Sequence, residues 1–307
     1  MNAAEMLQQV AADGLLAPDR RVIVLYSGGR DSTCLLDLAA RIAGPAAVSA
    51  LHVNYGLRDG ADVDERHGRE LCARLGIGLT VQRPGSERAG NMQAWARDVR
   101  YAAAAALAAD SGAEIATGHT ATDQVETILY RLASSPSRRA LLGMRQRDGA
   151  VIRPLLGFTR EETAAYCDER GLGWREDETN ELDVYARGRI RAELVPALRR
   201  IHPAAEQNVL ALARILRDEA AVLDGSVQEI LTGRQEIERD RLRELPPALQ
   251  RLVVQSLADE ATDTGLAPGA ARRTEEIVAL DHGMLDIGNG LRAVVAQQKL
   301  RFEKLEG

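Results

Sequence analysis

The 307 residues hold 39 basic and 45 acidic side chains, a formal charge of −6. Bulk charge therefore marks no nucleic-acid partner, and any such partner must use a local basic face. With 45% apolar residues the chain can bury a real core at a length of about two domains, and because its only lysines are Lys299 and Lys304, Schiff-base chemistry and a Walker-type loop are excluded from the main body.

From the N-terminus, short β-branched runs alternate with helix-like segments. "RVIVLY" precedes a helix from Asp31 to Ala43, "VSALHV" precedes Ala61 to Leu75, "GLTVQR" precedes Met92 to Ser111, and "AEIATG" precedes Ala121 to Ala133. This order predicts an α/β fold, a parallel sheet flanked by helices and built from right-handed βαβ units. After "VIRPLLGFTREETAAYCDERGL" the strand signal fades. The stretch "YARGRIRAELVPALRRIHPAAEQNVLALARILRDEAAVLDG" then reads as two helices separated near Pro203, the second long and amphipathic through Val209, Leu212, Ala213, Leu216 and Leu223. Helices around "RLRELPPALQRLVVQSLADEA" and "GAARRTEEIVALDHG", then a terminal hairpin in "MLDIGNGLRAVVAQQKLRFEK", predict a small C-terminal α+β domain. The expected organisation is a catalytic domain over 1–202, a linking helix over 203–224 and a small domain over 225–307.

Cys34, Cys72 and Cys167 are widely spaced and form no CxxC pair, which argues against structural zinc, an iron–sulfur cluster and a disulfide framework and fits a reducing cytoplasm. The N-terminus lacks a basic leader, and apolar runs such as "AAAAALAA" fall short of the roughly 18 residues of a membrane span. Neither export nor membrane insertion is expected.

"SGGRDS" follows the first strand, where a parallel sheet binds ligands beyond its carboxyl ends. Gly28 and Gly29 let successive N–H groups face one concavity, and the next helix adds its positive end, so an anion such as a phosphate suits the place. Ser27 and Ser32 can donate hydroxyls to it. Asp31 puts a negative charge beside that anion, which points to Mg²⁺ carried with a nucleotide. The same residues also suit a plain turn with Asp31 or Ser32 as a helix cap.

Arg97 and Arg100, followed by Tyr101, lie three apart on a helical stretch and can present two guanidiniums to phosphates, although solvated surface arginines are the ordinary alternative. In "GHTATDQVET", Asp123 and Glu126 share a helix face able to hold Mg²⁺ or an ammonium, with His119 just before it. An acid-rich first turn favoured by the helix dipole is the alternative. Arg187, Arg189, Arg191, Arg199 and Arg200 against the single acid Glu193 form the densest basic stretch, between Tyr185 and Arg200, a reasonable contact for a phosphate backbone.

"SGGRDS" resembles the SGGxDS loop of the N-type ATP pyrophosphatases (the PP-loop superfamily, of adenine nucleotide alpha hydrolase-like fold), which bind ATP and split it between the α- and β-phosphates. "NMQAWARDVRYAAAA", "ATGHTATDQVETILYRL", "HVNYGLR", "GMRQRDGAVIRPLL", "WREDETN" and "YARGRIRAELVPAL" resemble one branch of it, the tRNA(Ile)-lysidine synthetases, over about Arg21 to Asn208. The resemblance implies an enzyme using ATP, Mg²⁺ and free L-lysine on the wobble cytidine of tRNA(Ile) with a CAU anticodon. It implies that Ser27, Gly28, Gly29, Arg30, Asp31 and Ser32 hold ATP, with Asp31 toward the metal. Asp31, Asp123 and Arg97 are then the catalytic candidates, and Asp123 and Glu126 the lysine or metal candidates. Arg100, Arg187, Arg191 and Arg199 are candidates for tRNA contact, with residues 225–307 as a second tRNA-binding part. A homodimer is common among such enzymes, and the chain fits their shorter architecture.

Three departures stand out: Thr122 precedes Asp123 where many relatives have two adjacent acids, Gly188 replaces an asparagine, and "LASSPSRRALLGM" replaces a Gly-rich segment, where a flexible loop near the substrate entrance is expected. Alternatives are a tRNA 2-thiolation enzyme, which usually needs paired cysteines, a small-molecule adenylating ligase, and a non-catalytic RNA-binding relative.

Overall fold

The structure, a computed structural model, describes residues 1–56, 60–85, 92–135, 138–175, 186–262, 267 and 269–305. The end of "HVNYGLR", most of "WREDETN", Tyr185 and the Pro136–Ser137 part of the expected loop lie outside the described residues. Two compact units, Met1–Ala213 and Arg214–Gly307, divide the chain.

In the first unit, α1 (Ala3–Ala12) precedes β1 (Val22–Leu25), α2 (Arg30–Ala43), β2 (Val48–Val53), α3 (Ala61–Leu75), β3 (Gly78–Gln82), α4 (Met92–Ser111), β4 (Glu114–Ala116) and α5 (Ala121–Ser134). There follow α6 (Arg138–Leu141), β5 (Arg147–Asp148), β6 (Val151–Ile152), α7 (Arg160–Glu169), α8 (Ala186–Arg189) and α9 (Val195–Ile201). The sheet order is β3-β2-β1-β4-β6-β5, parallel throughout except for β5, which pairs antiparallel at the edge. This is the parallel sheet that the alternation of runs predicts.

Every residue of β1 is buried, as befits a central strand covered on both faces. Its pleat divides two cores. Val22 and Val24 pack with Leu35, Leu36, Leu38 and Tyr166, while Ile23 and Leu25 pack with Leu51, Ala104, Ala108 and Ile115. The chain moves outward from β1 to β2 and β3, then returns to the other flank of β1 for β4. That reversal opens a crevice at the carboxyl ends of β1 and β4, the place where open α/β sheets bind ligands.

The arginine-rich stretch is not one regular helix. Pro196 has no N–H to donate and its ring would crowd the preceding turn, and between α8 and α9 the residues Ile190–Leu194 form a π turn closed by Val195 N–H to the Ile190 carbonyl. After the break at His202, α10 spans Ala205–Leu231. Within the expected apolar stripe Ala213 is buried and Val209 packs beside Val125, Leu129 and Ile190, whereas Leu212 is exposed.

The second unit contains β7 (Glu236–Glu238), α11 (Arg239–Glu244), α12 (Pro247–Glu260), α13 (Thr274–Ala279), β8 (Gly283–Gly288), β9 (Leu291–Ala296) and β10 (Lys299–Lys304). The expected terminal hairpin is a three-stranded antiparallel meander, extended by β7 in the order β7-β10-β9-β8. The first turn, Asn289-Gly290, carries the usual signal for two left-handed residues. The second turn, Gln297 and Gln298, adopts φ values of 52° and 63° without glycine or asparagine, so nothing in its composition announces a turn.

Leu36 is fully buried under the sheet. Leu36→Ala is expected to lower the stability of the first unit by about 2–5 kcal/mol. Urea unfolding followed by tryptophan emission reads that unit alone, because Trp95 and Trp174, the two tryptophans of the chain, both belong to it.

Candidate active site

The loop after β1 begins the crevice. Gly28 has φ of 89°, a conformation that side chains with a Cβ rarely adopt. Gly29 caps α2 with no side chain bonded to the helix end, which leaves the helix N-terminus as an anion-favouring surface. Ser32 Oγ donates to the Gly29 carbonyl at 2.9 Å and accepts from Ser27 N–H at 3.2 Å, and the Ser27 and Ser32 hydroxyls are 3.2 Å apart. The loop is thus closed on itself before any ligand arrives. Arg30 opens α2, and its carbonyl accepts from the Cys167 thiol at 3.6 Å.

The loop after β4 meets it backbone to backbone. A Cβ at Gly118 would lie 3.1 Å from the Ser32 nitrogen and 3.2 Å from the Asp31 oxygen, so any larger residue requires the two loops to give by a few tenths of an ångström. Thr120 then caps α5: its hydroxyl and backbone N–H donate to Asp123 Oδ2, both at 2.8 Å. Asp123 therefore serves as the acid of a capping box, while its other oxygen faces across the crevice.

That oxygen, Oδ1, accepts from Arg160 Nη2 at 2.7 Å. Arg160 is the first residue of α7, and its backbone N–H donates to Thr122 Oγ1 at 3.3 Å. The guanidinium also lies 3.6 Å from Asp31 Oδ2 and 3.8 Å from Glu126 Oε1. One turn later Thr163 donates to Asp31 Oδ1 at 2.5 Å. Asp31, Asp123 and Glu126 are brought together around one guanidinium.

Glu126 is buried and held by Arg191 through two bonds, Nε to Oε1 at 2.7 Å and Nη2 to Oε2 at 3.0 Å. Arg191 thus turns inward to a carboxylate. Arg199 pairs with Glu206, and Arg187 is exposed on α8. Arg97 lies over the Tyr101 ring at 4.7 Å and Arg100 at 5.9 Å, both within cation–π range of the one aromatic ring.

Charge in the crevice is sharply differentiated. Burial pushes the Asp31 carboxyl above its ordinary range and the nearby Asp123 charge adds to this, against Thr163 and Arg160. At Asp123 burial acts upward too, but Arg160, the Thr120 N–H and His119 outweigh it and the carboxyl is held below its usual range. The His119 imidazole, 2.7 Å from Thr117 Oγ1, is pushed down to about 4, chiefly by burial and then by Arg153, Arg97 and Arg100, with Asp123 opposing. It is neutral near pH 7.

Among the described residues no group of three or more His, Cys, Asp or Glu side chains is placed to hold a metal ion. The three acids converge on Arg160 instead. Asp31 alone stands on the phosphate-type loop, so the residues fit a cation that arrives with phosphates rather than one caged by protein. The three cysteines are free and buried. No helix among the described residues is long and apolar enough to cross a membrane.

Sequence reasoning passed over Arg160 and Thr163. They belong to "GFTREET", with Thr159 and Glu162 as a capping box. That box signals a helix start there, so the placement of Arg160 in a first turn was legible, though not what it would face.

This fold, with a closed glycine loop at the β1–β4 switch, defines a PP-loop domain, and that family matches residues 1–198. The U34-tRNA thiolase NcsA from Methanococcus maripaludis, solved with its [4Fe-4S] cluster, shares the fold with a TM-score of 0.58 at 16% identity, over 70% of this chain and 78% of that one. The tRNA(Ile)-lysidine synthase of Symbiobacterium thermophilum is 36% identical over 97% of this chain and 68% of its own length. That of Dehalococcoides mccartyi is 34% identical over 88% of this chain and 62% of its own. The chain belongs to the tRNA(Ile)-lysidine synthase family.

Gly118→Ala is expected to force the two loops apart and to weaken ATP binding at least tenfold with little change in melting temperature, read by nucleotide titration beside a thermal melt. A second expectation concerns acid. Because His119 titrates lower in the folded chain than its ordinary 6.5, its neutral burial stabilises fully above about pH 6.5, and that contribution is lost as pH falls toward about 4. His119→Gln should flatten the decline of unfolding free energy in that window.

Proposed function

We propose that the protein joins free L-lysine to C2 of the wobble cytidine of tRNA(Ile) bearing a CAU anticodon, in two steps. The cytidine O2 attacks the α-phosphate of ATP and pyrophosphate leaves. The lysine ε-ammonium gives a proton to solvent, and the free amine then bonds to C2 as the C2–O2 bond breaks and AMP departs, the surplus N–H proton following to solvent. The observation that carries this reading is the meeting of two unlike half-sites across the β1–β4 crevice, an anion-favouring loop at Ser27–Ser32 and a carboxylate cluster from α5.

In this scheme Ser27, Gly28, Gly29, Arg30 and Ser32 receive the pyrophosphate side of ATP through backbone N–H groups and hydroxyls. Asp31 would hold Mg²⁺ carried in with the nucleotide, and that ion would supply charge neutralisation there. Arg97, with Arg100 beside it, offsets charge developing at the adenylated base. Asp123 is the principal carboxylate for the lysine ammonium, and Glu126 is second, because the Glu126 side chain is 3% exposed against 19% for Asp123.

A base can be reached only in an unstacked anticodon loop. Arg187, exposed on α8, is a candidate for phosphate contact, as is the exposed Arg199 on α9, and residues 225–307 are assigned to another part of the tRNA. A cytoplasmic enzyme acting as a homodimer is consistent with this reading. The buried, dispersed cysteines favour it over 2-thiolation.

The test is ATP–pyrophosphate exchange with transcribed tRNA(Ile)(CAU), with and without lysine, against a tRNA(Met) control. Exchange that requires the isoleucine tRNA and not lysine is expected, and exchange indifferent to RNA would overturn the reading. Asp123→Asn keeps an acceptor for the Thr120 cap but removes the charge facing Arg160. It is expected to reduce lysidine formation at least a hundredfold at saturating substrates, and full activity would remove Asp123 from the chemistry.

A further inference from the structure

Arg160 touches more of the site than any motif residue, yet it belongs to neither the glycine loop nor the α5 motif. Its guanidinium stands between Asp31 on one side and Asp123 and Glu126 on the other, at 3.6, 2.7 and 3.8 Å. Asp31 and Asp123 are close enough for the charge of one to raise the pKa of the other. Like charges at such range separate or take up a proton unless a cation lies between them. Arg160 is that cation. Its backbone is anchored by the Thr122 hydroxyl and by the Thr159–Glu162 capping box, and it is only 19% exposed.

The division of contacts is uneven. Asp123 receives a short charge-assisted hydrogen bond from Nη2, which fixes the direction of its carboxylate, with Thr120 holding the second oxygen. Arg160 Nε, by contrast, is buried and has no hydrogen-bond partner within the described structure, although Asp31 is near. Arg160 therefore acts mainly on the amine side and only weakly on the phosphate side.

We propose that Arg160 is a positioning residue for the amine substrate. It keeps Asp123 ionised and aimed into the crevice beside Asp31, so that an incoming ammonium meets a carboxylate already in place. This rests on the lysidine reading above. A planar fork can engage three carboxylates at once. A lysine ammonium at the same position is a point charge on a flexible stem and cannot reproduce that geometry.

The test compares wild type, Arg160→Lys and Arg160→Gln in two assays, tRNA-dependent ATP–pyrophosphate exchange without lysine and lysidine formation as a function of lysine, with a thermal melt of each protein. Arg160→Gln is expected to raise the lysine KM at least tenfold and to lower the exchange rate by a smaller factor, with Arg160→Lys intermediate in KM. A lysine KM within twofold of wild type in both variants overturns the proposal. So does a KM and an exchange rate that change by the same factor alongside a lower melting temperature, since that is the signature of a purely structural role. If Arg160→Gln does not fold, Arg160→Lys decides by the same comparison. A wild-type protein that catalyses exchange but forms no lysine adduct overturns the lysidine reading and this proposal with it, whereas an unchanged KM in an active enzyme overturns this proposal alone.

Discussion

The approach of Gly118 to the backbone of Asp31 and Ser32 is the constraint on which the site depends. With only a hydrogen where a Cβ would lie 3.1 Å from the Ser32 nitrogen, the loop after β4 can lean directly on the loop after β1. Everything that follows on α5, first Thr120 and then Asp123 and Glu126, is carried to the phosphate-type loop by that contact. The sheet order makes it possible, because β1 and β4 are neighbours whose connections run to opposite flanks. A glycine at the same place in another strand order would bring nothing together.

Placing three carboxylates in one crevice is unfavourable by itself, and the structure answers with two guanidiniums from different helices. Arg160 comes from the first turn of α7, where the capping box holds the helix start. Arg191 comes from the π turn before Pro196 and engages Glu126 in a bidentate pair, the geometry in which a guanidinium binds a carboxylate most strongly. The resulting arrangement is a balance rather than a free acidic surface. It explains why the acids converge on arginines and do not assemble a metal cage.

His119 feels charges of both signs, with Asp123 opposing three arginines. Arg97, Arg100 and Arg153 all act to depress its pKa, after burial itself, and the imidazole remains neutral between basic and acidic regions.

The chain by itself determined the alternation of strands and helices, because buried parallel strands need unbroken apolar runs and the helices between them need their own caps. It also determined the glycine loop and the spacing of Asp123 and Glu126, both local in sequence. It did not reveal the two-residue strands β5 and β6, too short to show a period, nor the Gln297-Gln298 turn, whose left-handed backbone no residue type announces. Only the tertiary structure decided the partners: that Arg191 turns inward to Glu126, and that Arg160 stands among Asp31, Asp123 and Glu126. Those contacts join residues 34 to 129 positions apart in the chain, and separation of that kind leaves no pattern in composition or periodicity. They exist because the sheet order, a global property, brings the ends of distant elements to one crevice.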